Sequence, residues 1–130
     1  MHIAIATPPL ALIRTSIAAV WIYEGLWCKL LGRAPSQQQV VNAVPRLGPG
    51  FGHTFLMLLG WVETALGLWV VAGVAPVECF IVQTALLLCL NVNGLLWARR
   101  LIHDPAGMVL KNIAFLLLAW VGATAPGARP

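Results

Sequence analysis

Two carboxylates and two ammonium groups fall inside stretches of this chain that are otherwise apolar enough to sit in lipid. Glu24 and Lys29 lie near the end of the run from Val20 to Leu31, Glu63 lies in a second apolar stretch and Lys111 in a fourth. A charge at such depth is costly unless it is paired or turned toward the inside of a bundle, so each of these residues is a candidate for ligand binding, proton exchange or the joining of helices. Asn91 and Asn112 add amides to the set. At a rise of 1.5 Å per residue, Glu24 and Asn91 are about 10 Å from one end of their stretches, Glu63 about 15 Å, and Lys111 with Asn112 about 7 to 9 Å. Two negative and two positive charges in one layer give the balance that a buried polar cluster requires.

Helical phase indicates which way some of these groups point. Gly60, Glu63, Thr64 and Gly67 stand at i, i+3, i+4 and i+7, so Glu63 shares its face with small residues that let membrane helices approach closely. The face of Asn91 continues through Gln83, Thr84, Leu87 and Gly94, a polar and small stripe suited to the interior. Five residues along an α-helix turn through about 140°, which sets Lys29 away from Glu24. The expected result is a polar layer near one membrane surface, shared by four helices. It either glues them together or forms a pocket against Glu63, Lys111 and Asn91, walled by Trp21, Trp27 and Trp61, that takes the head of a quinone or another small amphiphile.

Other chemistries find less support. His53 and His103 could ligate haem as a pair, but neither lies inside an apolar stretch, and His2 is too near the terminus to inform. Cys28, Cys79 and Cys89 form no Cys-x-x-Cys. Ten helical residues hold Cys79 and Cys89 about 15 Å apart, too far to bridge, so dithiol chemistry is not expected. No spacing suggests a metal site, a phosphate loop or a nucleophile triad.

The elements that position these residues follow from composition. A soluble domain carries about a quarter charged residues, whereas this chain of 130 residues is 9% charged and 60% hydrophobic. Four apolar stretches, each long enough to cross a hydrocarbon core of about 30 Å, predict helices over about 9–31, 52–74, 76–98 and 106–123 in a single domain. Thr7 could cap the first helix, and Arg14 reads as an anchor that snorkels to the near headgroups. Short second and third connections make sequence neighbours antiparallel. The fold class expected is therefore an all-α integral membrane four-helix bundle. In the long first loop, Val40, Val41, Val44 and Leu47 form one apolar stripe over about 36–47, predicting a short interfacial helix folded flat on the membrane or over the bundle mouth.

The first stretch is too long for the apolar core of a cleavable signal, and no basic segment precedes it. The formal charge of +4 comes from bases at the stretch ends, which read as topology determinants and headgroup contacts rather than a nucleic-acid surface. Lys29, Arg33, Arg46, Arg99, Arg100 and Lys111 gather on the side of loops 1 and 3, against Arg14 and Arg129 on the other. The expected orientation is loops 1 and 3 in the cytoplasm and both termini outside.

With these residues in view, the chain resembles the DoxX-like family of small bacterial membrane proteins. The likeness rests on Arg14, on the run from Trp21 to Leu31 with its Gly25 and Lys29, on Glu63 in the second helix, and on Lys111-Asn112 leading into an Ala- and Leu-rich fourth helix. The resemblance implies a multi-pass bacterial inner-membrane protein, in a family where some members are linked to thiosulfate-quinone or other redox systems. The expected function is a redox-accessory subunit, not itself catalytic, whose layer of Glu63, Glu24, Lys29, Lys111, Asn112, Asn91 and Gly25 binds a quinone-like lipid or docks another membrane subunit. A purely structural subunit and an autonomous quinone-linked oxidoreductase are the alternatives. No cofactor motif and no extramembrane domain of any size supports the last.

Overall fold

A computed structural model of the chain describes residues 8–125. The expected cap at Thr7, the bases and histidine of the termini, Arg129 and His2, and the tail from Pro126 lie outside them. The described residues are helical with short connections. Helix α1 covers Leu10–Ile22 and continues without interruption as a π-helix over Tyr23–Leu30. Helix α2 (Pro35–Asn42) follows, then α3 (Gly48–Ala72), α4 (Pro76–Trp97), a 3₁₀ turn at Arg99–Leu101 and α5 (Pro105–Thr124). Among the described residues, three helices, over Gly50–Ala72, Pro76–Trp97 and Pro105–Thr124, are long and apolar enough to cross a membrane. The rod of α1 and the π-helix lies antiparallel along α3, with Ala18 and Ile22 against Gly67 at one level and Gly25 against Gly60 at another.

Local chemistry accounts for most of the boundaries. Helix α3 begins four residues before the position expected from the Pro- and Gly-rich loop, because Pro49 falls in its first turn, where a missing N–H costs nothing and a fixed φ is already helical. It ends at Gly73, whose φ of +70° is the left-handed closing conformation that favours glycine. Helix α5 starts at Pro105 under an Asp104 cap, with the side-chain oxygen accepting from Gly107 N–H at 3.1 Å, the usual use of Asp at this position. Helix α2 is shorter than its predicted span, stopping at Asn42. Val41 is its buried apolar residue, while Val40, Val44 and Leu47 are partly covered.

The core lies in the half of the bundle away from α2. Ile13, Ile17, Ala18 and Trp21 of α1 meet Leu66 and Val70 of α3, Cys79 of α4 and Ala119 of α5. Trp21 stands edge-on to Phe115 with ring centroids 5.7 Å apart, a favoured aromatic arrangement. Four rods therefore meet around the α1 side chains, and α2 caps the opposite end by packing on α3 and the π-helix.

Candidate functional site

The buried charges gather on the seam between the π-helix and α3. Lys29 Nζ lies 2.8 Å from Oε1 and 3.2 Å from Oε2 of Glu63. It also lies 3.3 Å from the Glu24 carbonyl oxygen and 3.7 Å from Glu24 Oε2. Glu63 is 2% exposed and Lys29 6% exposed, while the Glu24 side chain is 39% exposed. The site therefore has a deep ion pair and a second carboxylate at its mouth. Of the two oxygens of Glu63, Oε2 accepts a hydrogen bond from Lys29. Oε1 makes the closer ionic contact with the same ammonium.

The π-helix is what makes this triad. Glu24 and Lys29 are five residues apart, which would hold them about 140° apart on an α-helix. A π-helix bonds each N–H to the carbonyl five residues back, as Leu31 N–H does to Leu26 O at 2.9 Å. Residues five apart are thereby stacked, and the expected separation of Glu24 and Lys29 is overturned. Close approach of the two rods is possible because Gly25 has no side chain. A Cβ there would sit 2.6 Å from Gly60 O and 2.7 Å from Thr64 Oγ1.

Helix α2 reaches the mouth through Gln37, whose Nε2 donates to Glu24 Oε2 at 3.0 Å. Its neighbour Gln38 donates to Asn42 Oδ1 at 2.9 Å and lies 3.3 Å from His53 Nδ1, tying α2 to itself and to α3. Gln37 was not singled out from the sequence, although the run Ser36-Gln37-Gln38-Gln39 was the available signal for a polar edge turned toward the site.

The other expected members of the layer lie elsewhere. Asn112 Nδ2 donates to Asn91 Oδ1 at 2.8 Å, and Asn91 Nδ2 donates to Leu87 O of its own helix at 2.7 Å. They form a neutral pair between α4 and α5 that shares no hydrogen bond with the triad among the described residues. Lys111 is exposed on α5 and forms no ion pair with a described residue, which corrects its expected place in the buried layer. Its stem is long enough to carry the ammonium group from a shallow position toward the headgroups, so burial is not forced on it. The charge balance changes accordingly, to two carboxylates around one ammonium.

The tryptophan walls are also redistributed. Trp27 and Trp61 face outward, and Arg33 stacks on Trp27 with its guanidinium carbon 5.4 Å from the ring centroid. Trp21 is buried and donates from Nε1 to Gln83 Oε1 at 2.8 Å, while Gln83 Nε2 donates to Cys79 Sγ at 3.6 Å. This second focus is neutral and lies on the core side of the triad.

Apolar helices long enough to span a membrane, packed around a buried ion triad, define a small helical membrane protein. The chain belongs to the DoxX-like family, whose sequence model matches residues 18–120. That range includes Glu24, Gly25, Lys29, Glu63, Asn91, Lys111 and Asn112. No curated protein and no solved structure matches the chain.

Proposed function

We propose that this protein is an accessory subunit of a redox-linked membrane system that binds the polar head of a quinone-like lipid at Glu24, Lys29 and Glu63. The observation that supports this reading is the shared ammonium: Lys29 serves both the buried carboxylate of Glu63, 2% exposed, and the half-exposed carboxylate of Glu24 at the mouth. One ammonium between two carboxylates leaves the cluster rich in acceptors, and a head-group hydroxyl can donate to one of their oxygens. A quinone-like head offers hydroxyl donors when reduced and carbonyl acceptors when oxidised, and it exchanges protons as it changes. Two carboxylates around one ammonium carry one excess negative charge and can receive the donor form, and uptake of a proton by either carboxylate makes the cluster neutral. Glu24, at the mouth, is the group through which a proton would reach the loop side, and Gln37 of α2 is the contact that must yield for a head to enter.

The same reading places the chain in a bacterial inner membrane with the α2 end in the cytoplasm. Arg33, Arg46, Arg99 and Arg100 all flank the helices at that end, the distribution that sets orientation. A reporter fused to the C-terminus is then active on the outer side of that membrane and silent if it is a cytoplasmic one.

Lipid extraction of the purified protein followed by mass spectrometry tests the binding. Wild-type protein carries a quinone, and Glu63→Gln, folded by circular dichroism, carries several-fold less. Wild-type protein with no quinone above the level of an unrelated membrane protein rejects the proposal and leaves the triad as helix glue.

A further inference from the structure

We infer that Lys111 is the second pole of the ligand site and donates a hydrogen bond to the lipid head that Glu24 receives, an inference that rests on the quinone reading above. The seam between α1 and α5 sets the geometry. A Cβ at Gly122 of α5 would lie 3.0 Å from Ile17 Cδ1 of α1, and further toward the α2 end Trp21 stands edge-on to Phe115. As α1 advances from Ile17 to Trp21, α5 recedes from Gly122 to Phe115, so the two helices run antiparallel. Glu24 is three residues beyond Trp21 and Lys111 four before Phe115, which sets both one turn further toward the α2 end, on the faces that meet. Ile17 and Trp21 close the seam where they pack, at 1% and 2% exposure. One turn on it is open: the Glu24 side chain is 39% exposed and Lys111 is exposed.

A carboxylate and an ammonium thus face each other across an open stretch of seam without forming an ion pair, and Lys111 Nζ has no partner among the described residues. The carboxylate only accepts and the ammonium only donates. The group that fits between them gives a hydrogen bond on one side and takes one on the other. A quinone-like head has an oxygen at each end of its ring. One end accepts from Lys111 in either redox state, and the other gives its hydroxyl to Glu24 when the head is reduced. Lys111 also supplies the positive charge by which the triad of Glu24, Lys29 and Glu63 falls short. Depth selects the same occupant: both poles stand about 7 to 10 Å inside the apolar stretches, below the level of phospholipid phosphates and within reach of a compact, uncharged ring. Val20, four residues before Glu24, and Leu118, seven after Lys111, are exposed on the same faces and leave an apolar track for the tail.

Equilibrium dialysis of decylubiquinone against the delipidated full chain in detergent, with infrared spectra of the bound quinone, tests the inference. Lys111→Met weakens binding about tenfold, the effect of losing one hydrogen bond from a charged donor, while its circular dichroism and its Tm without quinone match wild type. Lys111→Arg, which keeps charge and donors, keeps most of the affinity. In wild type one carbonyl band of the bound quinone is displaced to lower wavenumber, and in Lys111→Met it returns to its position in detergent alone. Should Lys111→Met fail to fold, the wild-type spectrum decides. Binding that is weakened by Glu63→Gln but unchanged in Lys111→Met, or a wild-type spectrum with both carbonyl bands undisplaced, overturns this inference and leaves the quinone reading standing. Wild-type protein that binds no decylubiquinone overturns both.

Discussion

The seam between the α1 rod and α3 and the seam between α4 and α5 both carry polar side chains at membrane depth, but they are built on different terms. The first encloses Lys29, Glu63 and the inner side of Glu24, with backbones in contact at Gly25 and Gly60. The second holds a single amide pair, Asn91 with Asn112, both partly covered. The amide pair is neutral and asks for no counter-charge. An ion triad with two carboxylates and one ammonium depends on its geometry and carries one more negative charge than positive. On the proposed reading, the first seam is the binding site and the second an ordinary helix association.

Removing the cation breaks the comparison most severely. Lys29→Met leaves Glu63 buried with no counter-charge and no donor, at a cost of about 3–5 kcal/mol. Thermal unfolding in detergent should show a large fall in Tm, and the double variant Lys29→Met, Glu63→Gln should recover a good part of it, because the uncompensated charge is gone. A single variant that melts with wild type means the seam does not depend on the pair.

Separating the rods is the next largest effect. Gly25→Ala puts a Cβ 2.6 Å from Gly60 O and 2.7 Å from Thr64 Oγ1, so the helices must move apart and stretch the ion pair. Overpacking of this kind costs about 1–3 kcal/mol. Gly50→Ala, where a Cβ meets nothing within 4 Å, is the control and stays within about 0.5 kcal/mol of wild type. On the other seam, Asn112→Ala removes one interhelical hydrogen bond, and in membrane bundles such bonds average about 0.6 kcal/mol. Equal losses from Gly25→Ala and Asn112→Ala would erase the distinction between the seams.

How much of this could be read from the sequence depends on which rule applied. Helix number, order and antiparallel pairing followed from apolar length, and the inward direction of Glu63 followed from Gly60, Thr64 and Gly67, because those rules use regular helical geometry. The contact of Lys29 with Glu24 could not be read the same way, since every phase estimate assumed an α-helix and residues 23–30 are π-helical. The start of α3 differs from the expected position because a Pro- and Gly-rich run reads as a break, whereas proline is equally at home in a first turn. Gln37 was hidden for a third reason. Its partner is set by how α2 folds back over the bundle, which no local pattern encodes.

Lys111 gives the smallest expected effect and the sharpest use of the comparison. Its depth of about 7 to 9 Å along the fourth stretch predicts a place in the buried layer, where it would balance the second carboxylate. In the structure it lies on the exposed face of α5, near the α4–α5 seam but outside it. If it is only a snorkelling base, Lys111→Met changes stability by no more than about 0.5 kcal/mol, against the several expected for Lys29→Met. The two variants remove the same group from the same chain, so the difference in Tm measures what burial and pairing add to a lysine in this membrane protein. A large loss from Lys111→Met would mean that its ammonium is engaged in the membrane after all, and that the charge of the triad is balanced across both seams.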